Sequence, residues 1–135
     1  MRGRAARALP ALACAGALWA ACAPAGAAVP IGCPRTTPRA LPAHPLAAAK
    51  AAALREAPAL YRGVDLNGIR AVRAVRASED RDRGGYAAKC GHAVRARTLV
   101  VYLEFPAEKP SSSLSEGVVL VARFAHGMRV WALLH

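Results

Sequence analysis

Residues 117–134 read GVVLVARFAHGMRVWALL, and the way this stretch folds decides the rest of the chain. Val118-Val119-Leu120-Val121 and Val130-Trp131-Ala132-Leu133-Leu134 are rich in β-branched and large apolar residues, which suit a pleated, packed surface. Between them His126-Gly127 supplies a tight turn, so the stretch reads as two strands folded back on each other. Val119 and Val121 alternate with Val118 and Leu120, and Val130 with Trp131 and Leu133. Both faces of the hairpin are therefore apolar.

Upstream, Val94 to Phe105 reads as a long strand ended by Pro106. Leu99, Val101, Leu103 and Phe105 point one way, and Thr98, Val100, Tyr102 and Glu104 the other. Arg95 and Arg97 break that register, which calls for a bulge near Thr98 or a strand that extends beyond the covering helix. Ser111-Ser112-Ser113 is a polar linker into the hairpin. In Ile69 to Ala77 a valine or isoleucine recurs every third residue with arginine behind it, a period that fits neither helix nor strand; the β-branched content and the Asn67-Gly68 turn before it decide for a strand. Ser78 to Gly85, with Glu79, Asp80 and Asp82 among arginines, reads as a solvated charged loop.

Leu46 to Ala57 is built of good helix formers, with Pro45 fitted to the first turn and Pro58 ending or kinking it. Leu46, Ala49, Ala53, Leu54 and Ala57 share a face, leaving Lys50 and Arg55 to solvent. Residues 29–45 carry prolines at 30, 34, 38, 42 and 45 and read as an extended, partly polyproline arm anchored only at Cys33. Residues 46–135 then form a single α+β domain, one N-terminal helix packed on an antiparallel sheet of about four strands.

That order resembles the cystatin-like architecture. The ending from Val121 to Trp131 resembles the closing strands of nuclear-transport-factor-2-like domains, where a Gly-containing turn is followed by an aromatic, a basic and an aliphatic residue; Met128 stands here for the aromatic. Ser111 to Ser115 is similar to a Ser-x-Ser-Leu-Ser stretch of small secreted proteins from GC-rich actinobacteria. These resemblances imply a fold and no activity.

Arg2, Arg4 and Arg7, an apolar run from Ala8 to Ala23, and Ala25-Gly26-Ala27-Ala28 follow one another as in a secretory signal peptide spanning residues 1–28, cleaved after Ala27 or Ala28. Leu18-Trp19-Ala20-Ala21-Cys22 resembles a lipidation box, but Trp19 stands where an aliphatic residue belongs. The protein is thus expected to be secreted or held in the cell envelope. Cys14 and Cys22 leave with the signal, and Cys33 and Cys90 are expected to pair in an oxidising compartment. Their bridge closes a loop of about 57 residues and stabilises by up to about 4 kcal/mol through chain entropy. A metal site on Cys90 and His92 is short of ligands.

The formal charge is +11, and +8 without the three signal arginines. The excess of arginine, alanine, glycine and proline reflects in part a GC-rich genome. Arg95, Arg97, Arg123 and Arg129 can meet on neighbouring strands, either as an anion-binding patch suited to an anionic cell-envelope polymer or as a solvated basic face exaggerated by genome composition. Specific nucleic-acid binding is not expected, because Tyr61, Tyr86, Tyr102 and Trp131 are too scattered to act as stacking platforms.

No catalytic residue, metal or cofactor is expected. The serines at 111, 112, 113 and 115 lack the Gly-x-Ser-x-Gly turn. His126 lies at a turn, His135 ends the chain, and His92, Glu104 and Glu116 form no clear acid–base pair. A single short helix covers one face of the sheet only, so Val100, Tyr102, Leu120 and Trp131 are expected to form an apolar interface for a protein partner or a second copy. The function read from the sequence is an exported, non-enzymatic binding or interaction domain; the alternative is a small pocket enzyme or ligand carrier on the same fold.

Overall fold

The computed structural model describes residues 32–112 and 115–134; the expected signal segment, its expected cleavage positions, Cys22, Ser113-Leu114 and His135 lie outside them. Helix α1 spans Pro45–Leu60, strand β1 Arg70–Arg76, short helices α2 and α3 Gly84–Ala88 and His92–Ala96, and strands β2, β3 and β4 Thr98–Glu104, Glu116–Phe124 and Gly127–Leu134. The strands form one antiparallel sheet in the order β1-β2-β3-β4, so the α+β expectation holds. Among the described residues no helix is long and apolar enough to cross a membrane.

α1 packs on the front of the sheet through Ala49, Ala52, Ala53 and Ala57, all fully buried. Alanines keep a helix axis close to a sheet, and the front core is filled by the sheet's own Leu99, Val101, Leu103, Val119 and Val121 with Phe105 and Tyr61. Leu46 and Leu54, expected on the buried face, are instead 43% and 36% exposed. Pro58 lies within the last turn, and α1 runs on to Leu60.

The period of three in β1 is resolved by a bulge. Ala71 pairs with Leu103 and Arg73 with Tyr102, so the register skips Val72. With that extra residue, Ala71 and Ala74 both reach the front core and Val75 turns to the rear. A second irregularity places Leu120 opposite Ala132 and Val121 opposite Val130. Trp131 is the extra residue there, and it turns to the rear with Ala132.

The expectation of an uncovered rear face is overturned. The predicted long strand from Val94 begins only at Thr98; the residues before it form α3, and part of the predicted charged loop forms α2. Ala77, Ala87, Val100, Val118 and Leu120 make a second buried cluster, with Tyr86 and Trp131 against it. A Cβ at Gly84 would collide with the Ala77 carbonyl, so glycine lets α2 settle this close. Val100 and Leu120 are fully buried and offer no surface to a partner; Tyr102 and Trp131 are half-buried.

Residues 32–44 form a strap joining the two layers. Cys33 is bonded to Cys90, just after α2, with Cα atoms 5.6 Å apart. Farther along, Arg39 forms an antiparallel bridge with Arg123 and Leu41 packs on the front core. The strap thus passes from the rear helices around the hairpin end of the sheet to α1. The expectation that Cys33 alone anchors this segment is corrected, because Pro38 is fully buried as well.

Candidate functional site

The hairpin end of the sheet is basic, and its geometry follows from where β2 starts. β2 and β3 pair from Thr98 and Ala122 onward, and Arg97, one residue earlier, is the C-cap of α3. The place beside Arg123 is left to the strap: the Arg39 N–H donates to the Arg123 carbonyl at 2.7 Å. Arg97 Nη1 donates to the Pro38 carbonyl at 2.7 Å and Arg123 Nη1 to the Ala40 carbonyl at 3.4 Å. Arg39, Arg97 and Arg123 are exposed.

Among the described residues the ion pairs are Arg55–Glu56, Arg70–Glu104 and Arg129–Glu56. Arg39, Arg97 and Arg123 thus meet at one pole without a carboxylate partner. At the other end of the sheet Glu104 pairs in register with Glu116, and Glu108 Oε1 accepts the Asp65 N–H at 2.8 Å. Four of the chain's eight carboxylates therefore sit roughly 20 Å from the basic pole, a distance set by the strand rise.

The structure sorts the four arginines expected to form a patch. Arg97 and Arg123 are together at the pole. Arg129 lies beside it, paired opposite Ala122, but its Nε donates to Glu56 Oε1 at 2.8 Å. Arg95 is half-buried on α3, with Nη2 3.5 Å from the Ser78 carbonyl and Nε buried. Arg39, which sequence reading left in the arm, completes the cluster; only the pairing of the strap with β3 brings it there.

The groups with shifted proton affinity hold the rear layer together. Asp80 is buried; its Oδ1 accepts the N–H groups of Arg83 at 2.8 Å and Asp82 at 3.0 Å, and its Oδ2 the Tyr102 hydroxyl at 2.6 Å. Burial opposes the charge, but the Arg83 N–H, the Tyr102 hydroxyl and the Asp82 N–H outweigh it and hold the carboxyl below its ordinary pKa. Burial and the Asp80 carboxylate push Tyr102 up to about 12. Burial alone does the same to Tyr61. The Asx turn was legible only as an Asp before turn residues; its tertiary partner Tyr102 was not.

Two grooves open on the rear. One, of about 230 Å³, is lined by Val72, Arg73, Tyr102, Glu104 and Glu116, with the Arg73 guanidinium 5.1 Å from the centre of the Tyr102 ring. The other, of about 570 Å³, is lined by Tyr86, Lys89, Leu133 and Leu134 among others. His92 and His126 are exposed and line neither groove. Among the described residues no group of three or more His, Cys, Asp or Glu side chains is placed to hold a metal ion.

Comparison with protein-family models, curated proteins and solved structures finds no match to the chain.

Proposed function

We propose that the protein is an exported, non-enzymatic binding domain whose basic pole docks on an anionic polymer of the cell envelope. The observation that carries this reading is the meeting of Arg39, Arg97 and Arg123 without a carboxylate, while Asp65, Glu104, Glu108 and Glu116 gather at the far end. Guanidinium groups without a carboxylate attract a phosphodiester chain, and the N–H groups that their carbonyl bonds leave over can bind its oxygens. Export rests on the N-terminal pattern of arginines, apolar run and small residues, and the Cys33–Cys90 bridge agrees with an oxidising compartment. The cystatin-like resemblance belongs to the same reading, since a helix on an antiparallel meander is the scaffold it implies.

The test is titration of poly(glycerol phosphate) against the protein at several salt concentrations. Binding is expected to weaken steeply with salt, as counterion release requires. Arg123→Gln is expected to lower the salt slope by roughly one and Arg70→Gln, at the acidic end, to leave it unchanged. Equal loss in both variants would refer the binding to net charge alone, and the reading would fall.

A further inference from the structure

We infer that the basic pole is a composite of two chain segments and that the Cys33–Cys90 disulfide is the fastening that assembles it, so that oxidised protein binds a polyanion and reduced protein releases it. The inference rests on the polyanion reading above. Arg97 and Arg123 belong to the body of the domain; Arg39 rides on the strap. Prolines at 34, 38 and 42 give the strap no ladder of its own. Apart from the disulfide, its fixings here are the buried Pro38, Leu41 against the front core, the Arg39–Arg123 bridge and the bonds to the Pro38 and Ala40 carbonyls. Each bond of this kind is at least partly exposed to water, which competes for its donor and acceptor and leaves a modest net gain.

Against those bonds stands repulsion, because the strap lays cationic Arg39 beside cationic Arg97 and Arg123 and no carboxylate offsets it. The covalent tie at Cys33 holds the like charges together; a polyanion, by neutralising them, favours the same closed arrangement. Opening requires a dithiol. Its thiolate attacks one sulfur of the bridge, the S–S bond breaks, and the reductant's two electrons and two protons leave Cys33 and Cys90 as thiols. The reductant closes into its own cyclic disulfide.

Titration of oxidised and dithiothreitol-reduced protein with poly(glycerol phosphate), with circular dichroism recorded on both, tests this. Reduction is expected to weaken binding ~10-fold and to lower the salt slope by roughly one, with the β signal retained. Arg39→Ala, in which the bridge is intact, is expected to weaken the oxidised protein to the same degree, and its reduction to add nothing. Equal binding by both redox states of the wild type, a further loss on reducing Arg39→Ala, or collapse of the β signal on reduction would each overturn the inference. Failure of the oxidised protein to bind at all would instead overturn the polyanion reading, and this inference with it.

Discussion

Asp80 is a buried charge that the fold retains because three donors surround it, and the chemistry of that arrangement is open to titration. The Tyr102 hydroxyl crosses from the sheet to the turn before α2, so one hydrogen bond joins the rear layer to β2. Tyr102→Phe keeps the ring and removes that bond; a buried carboxylate that loses a donor costs about 1 to 3 kcal/mol. The pH dependence has a definite sign. Asp80, with its folded pKa lowered, contributes stability that is present above the unfolded value near 3.9 and lost as pH falls through the folded value. Tyr102, raised to about 12, contributes stability that is complete below about pH 10 and lost as pH rises toward 12. The gap between wild type and Tyr102→Phe is therefore expected to be widest near pH 7 and to narrow at pH 2 and pH 11. Urea unfolding at the three pH values measures it, and a gap independent of pH would remove the ionised Asp80 from the account.

β1 and β4 are the edges of an open sheet, and exposed edges invite pairing with other chains. β1 is blunted by its bulge and by Arg70, Arg73 and Arg76, all exposed. β4 has no comparable row of charges; instead α1 reaches over it. Arg55 Nη2 donates to the Met128 carbonyl at 2.9 Å, and Glu56 Oε2 accepts the Val130 N–H at 3.3 Å while Oε1 takes Arg129. Glu56→Ala removes the acceptor and is expected to cost about 1 kcal/mol and to raise concentration-dependent self-association, followed by sedimentation velocity; Glu56→Gln, which keeps an acceptor, is expected to restore much of the wild-type behaviour. Unchanged association in Glu56→Ala would show that the edge needs no guard. The strands and the first helix were legible in the sequence because alternation and helix-forming composition are local properties. The bulge at Val72 was legible only as a broken period; the one at Trp131 was not, because Val130 to Leu134 is apolar throughout. α2 and α3 were missed because five-residue helices carry too little periodicity to separate from a charged loop or a strand extension, and α2 is settled by packing Ala87 into the rear cluster of the sheet. That omission also produced the mistaken apolar interface at Val100 and Leu120.

At the scale of the molecule the disulfide was legible and the basic pole only in part, for different reasons. Once residues 1–28 are read as a leader, Cys33 and Cys90 are the two cysteines left, and each has one possible partner. Arg39, by contrast, joins Arg97 and Arg123 through a strap-to-strand bridge that no local pattern encodes. The strap also decides how the layers cohere. The front core, centred on Ala49, Ala53, Leu99 and Phe105, and the rear core, centred on Val100 and Leu120, lie on opposite faces of one sheet, and the segment tied by Cys33–Cys90 spans them. Removing the tie with Cys33→Ser and Cys90→Ser frees a separation of 57 residues in the unfolded chain. Chain entropy sets the loss at no more than about 4 kcal/mol. The measured loss is expected to fall short of that, at roughly 2 to 3 kcal/mol, because a strap repelled by its own neighbours also gains freedom in the folded state once the bridge is gone. Urea unfolding of the double variant, compared with the oxidised wild type, gives both quantities of interest: the free energy, and the denaturant slope, which is expected to rise as the unfolded chain loses its cross-link and exposes more surface. A loss of the full chain-entropy value would mean that the strap stays seated without its bridge, held by Pro38, Leu41 and the arginine bonds alone.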